Sequence, residues 1–280
     1  MGSLTDENAA ANLFYPLVKL CYHSLMVWPI SWFAGWRQNQ PPLPISFNPA
    51  AWRPVIWAIT NIFETGVAEG NPAALQTEDG GIISYGKHQA TVKAGMLAQL
   101  IERYGTLSQT PTRDALMAWL PRLQAMDPTL RHESVLHDLL RAAAAEPAMG
   151  LAQDDLFDEQ YYQPAIQRAQ ERGLYTPLAL ACLYDAGVQG GRDHILARLT
   201  SPQTQSESQW IAQFLTERTQ WLNEIAQAAA EMGQFQQAQF LRNSRFRVDE
   251  LGRLLRKGNL LLRGRIRLRG QTIAGIKHPQ

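Results

Sequence analysis

Two carboxylates in contrasting settings carry the chemistry of this sequence. Glu64 closes an apolar run, residues 52–63, in which Val55, Ile56, Ile59, Ile62 and Phe63 recur at near-helical spacing. Asp79 opens a glycine-dense stretch, Asp79-Gly80-Gly81-Ile82-Ile83-Ser84-Tyr85-Gly86-Lys87-His88-Gln89, after a loop rich in Gly, Pro and Asn. A carboxyl at the dry end of an apolar helix is expected to stay protonated and serve as a general acid. One in a wet loop stays ionised and activates water or stabilises an oxocarbenium ion. Glycoside hydrolysis needs those two roles together. Ser84, five residues after Asp79, brings a hydroxyl to hold the attacking water. Glycines at this density fit a backbone that approaches a ligand closely or takes positive φ. The same residues also fit a plainer assignment, with Glu64 a surface charge at a helix end and Asp79 a turn former.

The elements that must position these groups carry further patterns. Phe63-Glu64-Thr65-Gly66, followed by Asp-Gly-Gly-x-x-Ser-Tyr-Gly-x-x-Gln, resembles the active-site segment of the lysozyme superfamily. Within it, the pattern is similar to bacterial and phage lysozyme-like proteins and to the related chitosanases. Thr176-Pro177-Leu178-Ala179-Leu180-Ala181-Cys182-Leu183-Tyr184-Asp185 resembles the chitosanase core helix ending in Tyr-Asp. Arg247-Val248-Asp249 and Gly258-Asn259-Leu260 resemble two further chitosanase segments, and all of these occur in the same order over residues 52–270. The resemblance implies Glu64 as the acid, with Asp79 and Ser84 handling the water. It departs where chitosanases often place His-Gly after the Tyr-Asp helix, since Gln189-Gly190-Gly191 stands here, and the Glu64–Asp79 gap is shorter. Glu69-Gly70 offers a second candidate acid, because phage lysozymes also show Glu-Gly shortly before the hairpin Asp. Glu64 is preferred because it ends the apolar run.

Composition bounds the rest. With 280 residues, 45% hydrophobic, the chain can bury a full core. A formal net charge of +1 gives no bulk field for steering onto nucleic acid. Cys21 and Cys182 stand far apart and indicate no disulfide framework. His132 and His137 are five apart, which is not the one-face spacing of a helical metal pair, so no metal and no cofactor is expected.

Residues 1–50 read as an N-terminal apolar segment and Pro-rich linker, and 51–280 as one catalytic domain. The apolar segment, residues 12–36, lacks the basic start and small-residue cleavage site of a secretory signal. Pro16, Lys19, His23, Ser24 and Pro29 interrupt it as a membrane span, leaving a packed amphipathic helix or an interfacial segment. Residues 38–54 read as an extended linker. Helices are expected over 91–104, 111–125, 131–145, 155–172, 176–188, 193–199, 207–231 and 235–243. The helix over 176–188 is apolar nearly all round and reads as the central one. Asp185 near its end needs a partner if buried, and Arg247 is the expected one. That pair either fixes the Glu64 helix from behind or is an ordinary structural ion pair. Residues 260–269 alternate apolar and basic, which predicts a strand with Arg263, Arg265, Arg267 and Arg269 on one face. This face is either a charge-guarded edge or an attraction to an anionic surface.

The expected fold is α+β, mostly α-helical, lysozyme-like and two-lobed, with a small β-hairpin lobe carrying Asp79. The expected activity is cleavage of the peptidoglycan glycan strand, with Tyr85, Lys87, His88 and Gln89 on the substrate. Chitosan hydrolysis is the alternative, and Lys87, His88 and the basic C-terminal stretch weigh against that polycation by like charge. A non-catalytic wall-binding module is the second alternative. With no export signal, the chain is expected to reach the wall by phage release or by a secretion machine. As a delivered antibacterial toxin it would meet an immunity protein.

Overall fold

A computed structural model gives the fold and describes residues 47–77, 81–199 and 205–277. The N-terminal apolar segment, Cys21 and Asp79 lie outside the described residues, and with that segment lies the ground for the delivered-toxin and secretion-machine expectations.

Helix α1 (Pro49–Thr65) begins at Asn48, whose side chain accepts from the Ala51 N–H at 3.2 Å. Residues 49–54, expected as extended linker, are helical. Pro49 occupies the first helical turn, where its missing N–H costs nothing, and Pro54 is accommodated inside the helix. Strands β1 (Leu75–Gln76), β2 (Ser84–Tyr85) and β3 (Ala90–Thr91) form an antiparallel meander in that order. Its register pairs Gln76 with Ser84 and Ser84 with Thr91. Helix α2 (Met96–Leu107) starts five residues later than expected, because Ala90 and Thr91 pair in the sheet and Gly95 turns the chain at φ +70°.

The stretch 111–125 divides into α3 (Pro111–Met117) and α4 (Leu120–Gln124), the second restarting with Pro121 in its first turn. Helices α5 (Ser134–Ala143) and α6 (Pro147–Phe157) follow, then a π-helical turn, Asp158–Tyr162, and α7 (Gln163–Glu171). Helix α8 (Pro177–Gln189) is capped by Thr176, whose hydroxyl accepts from the Ala179 N–H, and all its residues but Gly187 are buried. Burial pushes the Cys182 thiol up to about 12, leaving it a core residue. The chain continues through α9 (Arg192–Arg198), α10 (Glu207–Glu231), α11 (Phe235–Asn243) and α12 (Phe246–Arg256), and ends in the hairpin β4 (Arg265–Leu268) and β5 (Gln271–Ala274). Trp210, Phe214 and Trp221 of α10 are core residues.

Buried side chains fall into two cores. One joins α1 to α7–α12 and the C-terminal hairpin, around α8. The other joins the three-stranded sheet to α2–α6. Tyr161, in the π-helical turn, packs against both. This is the two-lobed α+β architecture expected, mostly helical with a small sheet.

The sheet is tied to α6 through Gln153. Its amide oxygen accepts from the Lys87 N–H at 2.9 Å and its amide nitrogen donates to the Pro72 carbonyl at 3.0 Å. Gly86, at φ +84°, has no room for a side chain, since a Cβ there would lie 2.6 Å from the Gln153 side chain. Gly86→Ala is therefore expected to cost about 1–3 kcal/mol. Urea unfolding checks this, and a midpoint equal to the parent's would show that the hairpin does not depend on that contact.

Candidate active site

Glu64 sits in the last turn of α1, and the local sequence fixes where that helix stops. Gly66 takes φ +79° and returns its N–H to the Ile62 carbonyl at 3.0 Å, the left-handed stop that glycine adopts without strain. The Asn61 amide donates to the Ala68 carbonyl at 2.9 Å and holds the following loop against the helix end. Gly70 then passes so close to Lys87 that a Cβ would meet its side chain at 3.1 Å. Thus the loop that follows Glu64 packs closely against the sheet lobe at Lys87.

The Glu64 side chain is 5% exposed, dry as the apolar run implies, but it is not isolated. Its Oε1 lies 2.5 Å from Nη2 of Arg247 on α12. The same guanidinium donates from Nη1 to Oδ1 of Asp185 at 3.0 Å. Oδ2 of Asp185 accepts from Nη2 of Arg218 on α10 at 2.6 Å, and that nitrogen also donates to Oε1 of Gln189 at 2.5 Å. Arg247 is 2% exposed, and Asp185 and Arg218 are 0%. Two carboxylates and two guanidiniums thus alternate through four helices, and their charges cancel. The Arg247 guanidinium also sits over the Phe63 ring at 5.7 Å. The expected Asp185–Arg247 pair is present, with a wider reach than expected, because Arg247 touches the candidate acid itself.

Dryness is therefore not the only influence on Glu64, since the Arg247 guanidinium touches its carboxyl. A guanidinium in contact stabilises the carboxylate, opposing desolvation. The arrangement places a positive charge in contact with the Glu64 carboxyl. Tyr184 lies beside this network, stacked on Trp57 at 6.5 Å and edge-on to Tyr162. Burial holds its phenol well above the ordinary value, and the negative charges of Glu64 and Asp185 push the same way.

The residues expected to touch substrate are placed differently. Tyr85 is 0% exposed in the sheet-lobe core, with its hydroxyl donating to the Leu140 carbonyl at 2.7 Å, so it does not line a sugar subsite. His88 is buried, stacked on Phe157 at 4.3 Å and edge-on to Trp57 at 5.8 Å. Gln89 is buried and donates to the Gly86 carbonyl at 3.0 Å. Both are core residues for the same reason as Tyr85: a covered side chain offers a sugar no surface. Lys87 pairs with Asp154 at 2.8 Å. Ser84 is buried in β2, so a water held by its hydroxyl would be an enclosed one. Glu69 is exposed in the loop after Gly66.

Arg218 was missed although its signal is in the sequence. It stands four residues from Phe214 and from Leu222, a lone cation on the apolar face of α10. Neutralising Asp185 leaves two buried guanidiniums without a carboxylate between them. Asp185→Asn is expected to cost about 3–5 kcal/mol and to lower kcat more than it raises KM. Urea unfolding and steady-state kinetics read the two effects separately, and a variant that loses stability but keeps kcat would make the network purely structural.

Comparison with known proteins gives the family. A curated chitosanase from Bacillus subtilis (strain 168) is 29% identical over 139 residues, which is 48% of this chain and 49% of that protein. The chain therefore matches about half the length of that relative. Among solved structures, a GH46 chitosanase from Gynuella sunshinyii in complex with chitotetraose is 28% identical, with a TM-score of 0.67 over 80% of this chain and 97% of the other. A glutamate-to-alanine mutant chitosanase from Bacillus subtilis MY002, complexed with 6 GlcN, shares the fold at 24% identity and a TM-score of 0.68, over 81% and 98% of the two chains. The profile of Glycosyl hydrolase family 46 matches residues 73–262, a span that holds Asp79, Ser84, Asp185, Arg218 and Arg247, and the chain belongs to that family.

Proposed function

We propose that the chain hydrolyses chitosan, with Glu64 as the general acid and Asp79 as the carboxylate that directs water with Ser84. The observation that carries this reading is the Glu64–Arg247–Asp185–Arg218 network, which aims a dry carboxyl from the end of α1 and is ready to stabilise it once its proton is gone. A contact that strengthens as charge develops lowers the barrier rather than merely binding the ground state. The relatives support the substrate: the curated relative is a chitosanase, and the Gynuella sunshinyii structure holds chitotetraose.

The charge argument for peptidoglycan loses its premises. Lys87 is spent on Asp154 and His88 is buried, so neither presents a free cation to the substrate. Of the 26 basic residues, eight lie in 253–277, where there is no Asp or Glu. Outside that stretch 18 basic residues face 25 acidic ones, a net charge of −7 that suits a polyamine. Chitosan therefore replaces peptidoglycan as the preferred substrate.

Reducing-end release from chitosan and from purified sacculi tests the substrate. Turnover of sacculi with none of chitosan would overturn the proposal. Glu64→Gln is expected to lower kcat on chitosan about a hundred- to ten-thousand-fold with the circular dichroism spectrum kept. Glu69→Gln is expected to keep full activity. A loss in the second variant and not the first would reassign the acid.

A further inference from the structure

The active site does not use the basic C-terminal stretch. Helix α12 and the β4–β5 hairpin fold it into a groove of about 520 Å³, whose cations are Arg253, Lys257, Arg265 and Arg267. No carboxylate lines this groove. An adjoining hollow of about 380 Å³ shares Arg253 and Arg267 and adds Arg269, with Glu250 as its one carboxylate. Strand β4 alternates exposed Arg265 and Arg267 with buried Ile266 and Leu268. Residues two apart on a strand stand about 7 Å apart. Arg253 is fixed in place, donating from Nε to Glu250 at 3.0 Å and from Nη2 to the Arg267 carbonyl. Lys257, Arg265 and Arg267 form no ion pair among the described residues. Charge that guards an edge strand explains arginines on β4. It does not explain a lysine at the end of α12 lining the same groove, or an arginine clamped at its wall.

We propose that this groove binds an acidic polysaccharide. Arg253 is held by Glu250, while Lys257, Arg265 and Arg267 leave their charge to a ligand. Chitosan is excluded there by like charge. Nucleic acid would want aromatic platforms for base stacking, and no aromatic residue lines either hollow, while Phe246 is covered by the Arg269 guanidinium at 4.2 Å. A lipid surface would want exposed apolar residues. The large ones, such as Val67, Leu107, Val135 and Phe235, lie on other elements. A linear polysaccharide bearing a carboxylate or sulfate on its sugars presents a row of anions to this row of cations. A polycation such as chitosan also gathers polyanions, so a lobe that grips the acidic polymer keeps the enzyme beside the chain it cuts. The groove belongs to the same lobe as Glu64, since Phe246 packs edge-on against Phe63 at 5.7 Å.

The full chain is titrated with polygalacturonate, which bears carboxylates, and with heparin oligosaccharide, which bears sulfates. Tryptophan fluorescence is read across a sodium chloride series. At least one polymer is expected to bind, with affinity falling log-linearly in salt. Lys257→Gln/Arg265→Gln/Arg267→Gln is expected to weaken that binding at least about tenfold while chitosan hydrolysis stays at the parent rate. Which polymer binds tells carboxylate from sulfate recognition. Three outcomes would overturn the proposal: no binding of either polymer at low salt, equal binding by the triple variant, or binding of single-stranded DNA or anionic vesicles alone. Because binding is read without hydrolysis, its failure is distinct from failure of the chitosan reading.

Discussion

One guanidinium shared by two buried carboxylates organises this protein. Arg247 reaches Glu64 on α1 and Asp185 on α8 while Arg218 on α10 holds the other oxygen of Asp185. Desolvating four charges costs more than apolar packing of the same volume, so the network is weak evidence for stability in itself. What it supplies is position. Helices α1, α8, α10 and α12 can approach only in the register that lets every charge meet its opposite, because any other register strands an ion in a dry core. The fold thus converts a desolvation penalty into the aim of the Glu64 carboxyl.

The seam between the lobes follows from the same economy. Backbone and rings, more than surface charge, cross it: Gly70 against Lys87, Trp57 against His88, and Tyr161 against both cores. The Arg53–Asp158 pair at 3.0 Å adds a partly exposed ionic contact, of the kind that contributes little to stability. Of the side chains that look like sugar contacts in the sequence, His88 is consumed in this seam and Tyr85 in the sheet-lobe core. A glycine-dense loop that packs on α6 through Gln153 has no polar residues to spare for ligand along Tyr85 to Gln89.

The elements whose chemistry is local were legible in the sequence. The Thr176-Pro177 start of α8, the limits of α10 and α11, and the Glu64 helix end follow from caps, periodicity and glycine stops, which act over a few residues. Asp185 was readable as a buried acid in need of a cation, since no apolar helix carries a carboxylate without a partner. Tyr85, His88 and Gln89 were misread because a polar or aromatic residue near a catalytic motif looks the same whether it faces a cleft or a core. Only the packing of α5 and α6 on the sheet decides that. Helix α12 was missed because its basic residues masked Val248, Leu251 and Leu254, which recur every three residues and are buried.

The overall charge of +1 hid the most consequential feature of the surface. It is the sum of an acidic body and a basic end. Screening over about 8–10 Å at ordinary ionic strength keeps two such fields distinct on one molecule. A polyamine substrate, as proposed, is drawn to the acidic body and repelled from the C-terminal groove, which leaves that groove to a ligand of opposite sign. Net charge taken over the whole chain argues only against steering onto nucleic acid; charge resolved along the chain supports the proposed polyanion at a single face. The same resolution removes Lys87 from the count of cations facing the substrate, because its partner Asp154 comes from a helix 67 residues away in sequence, a pairing that only the folded chain reveals.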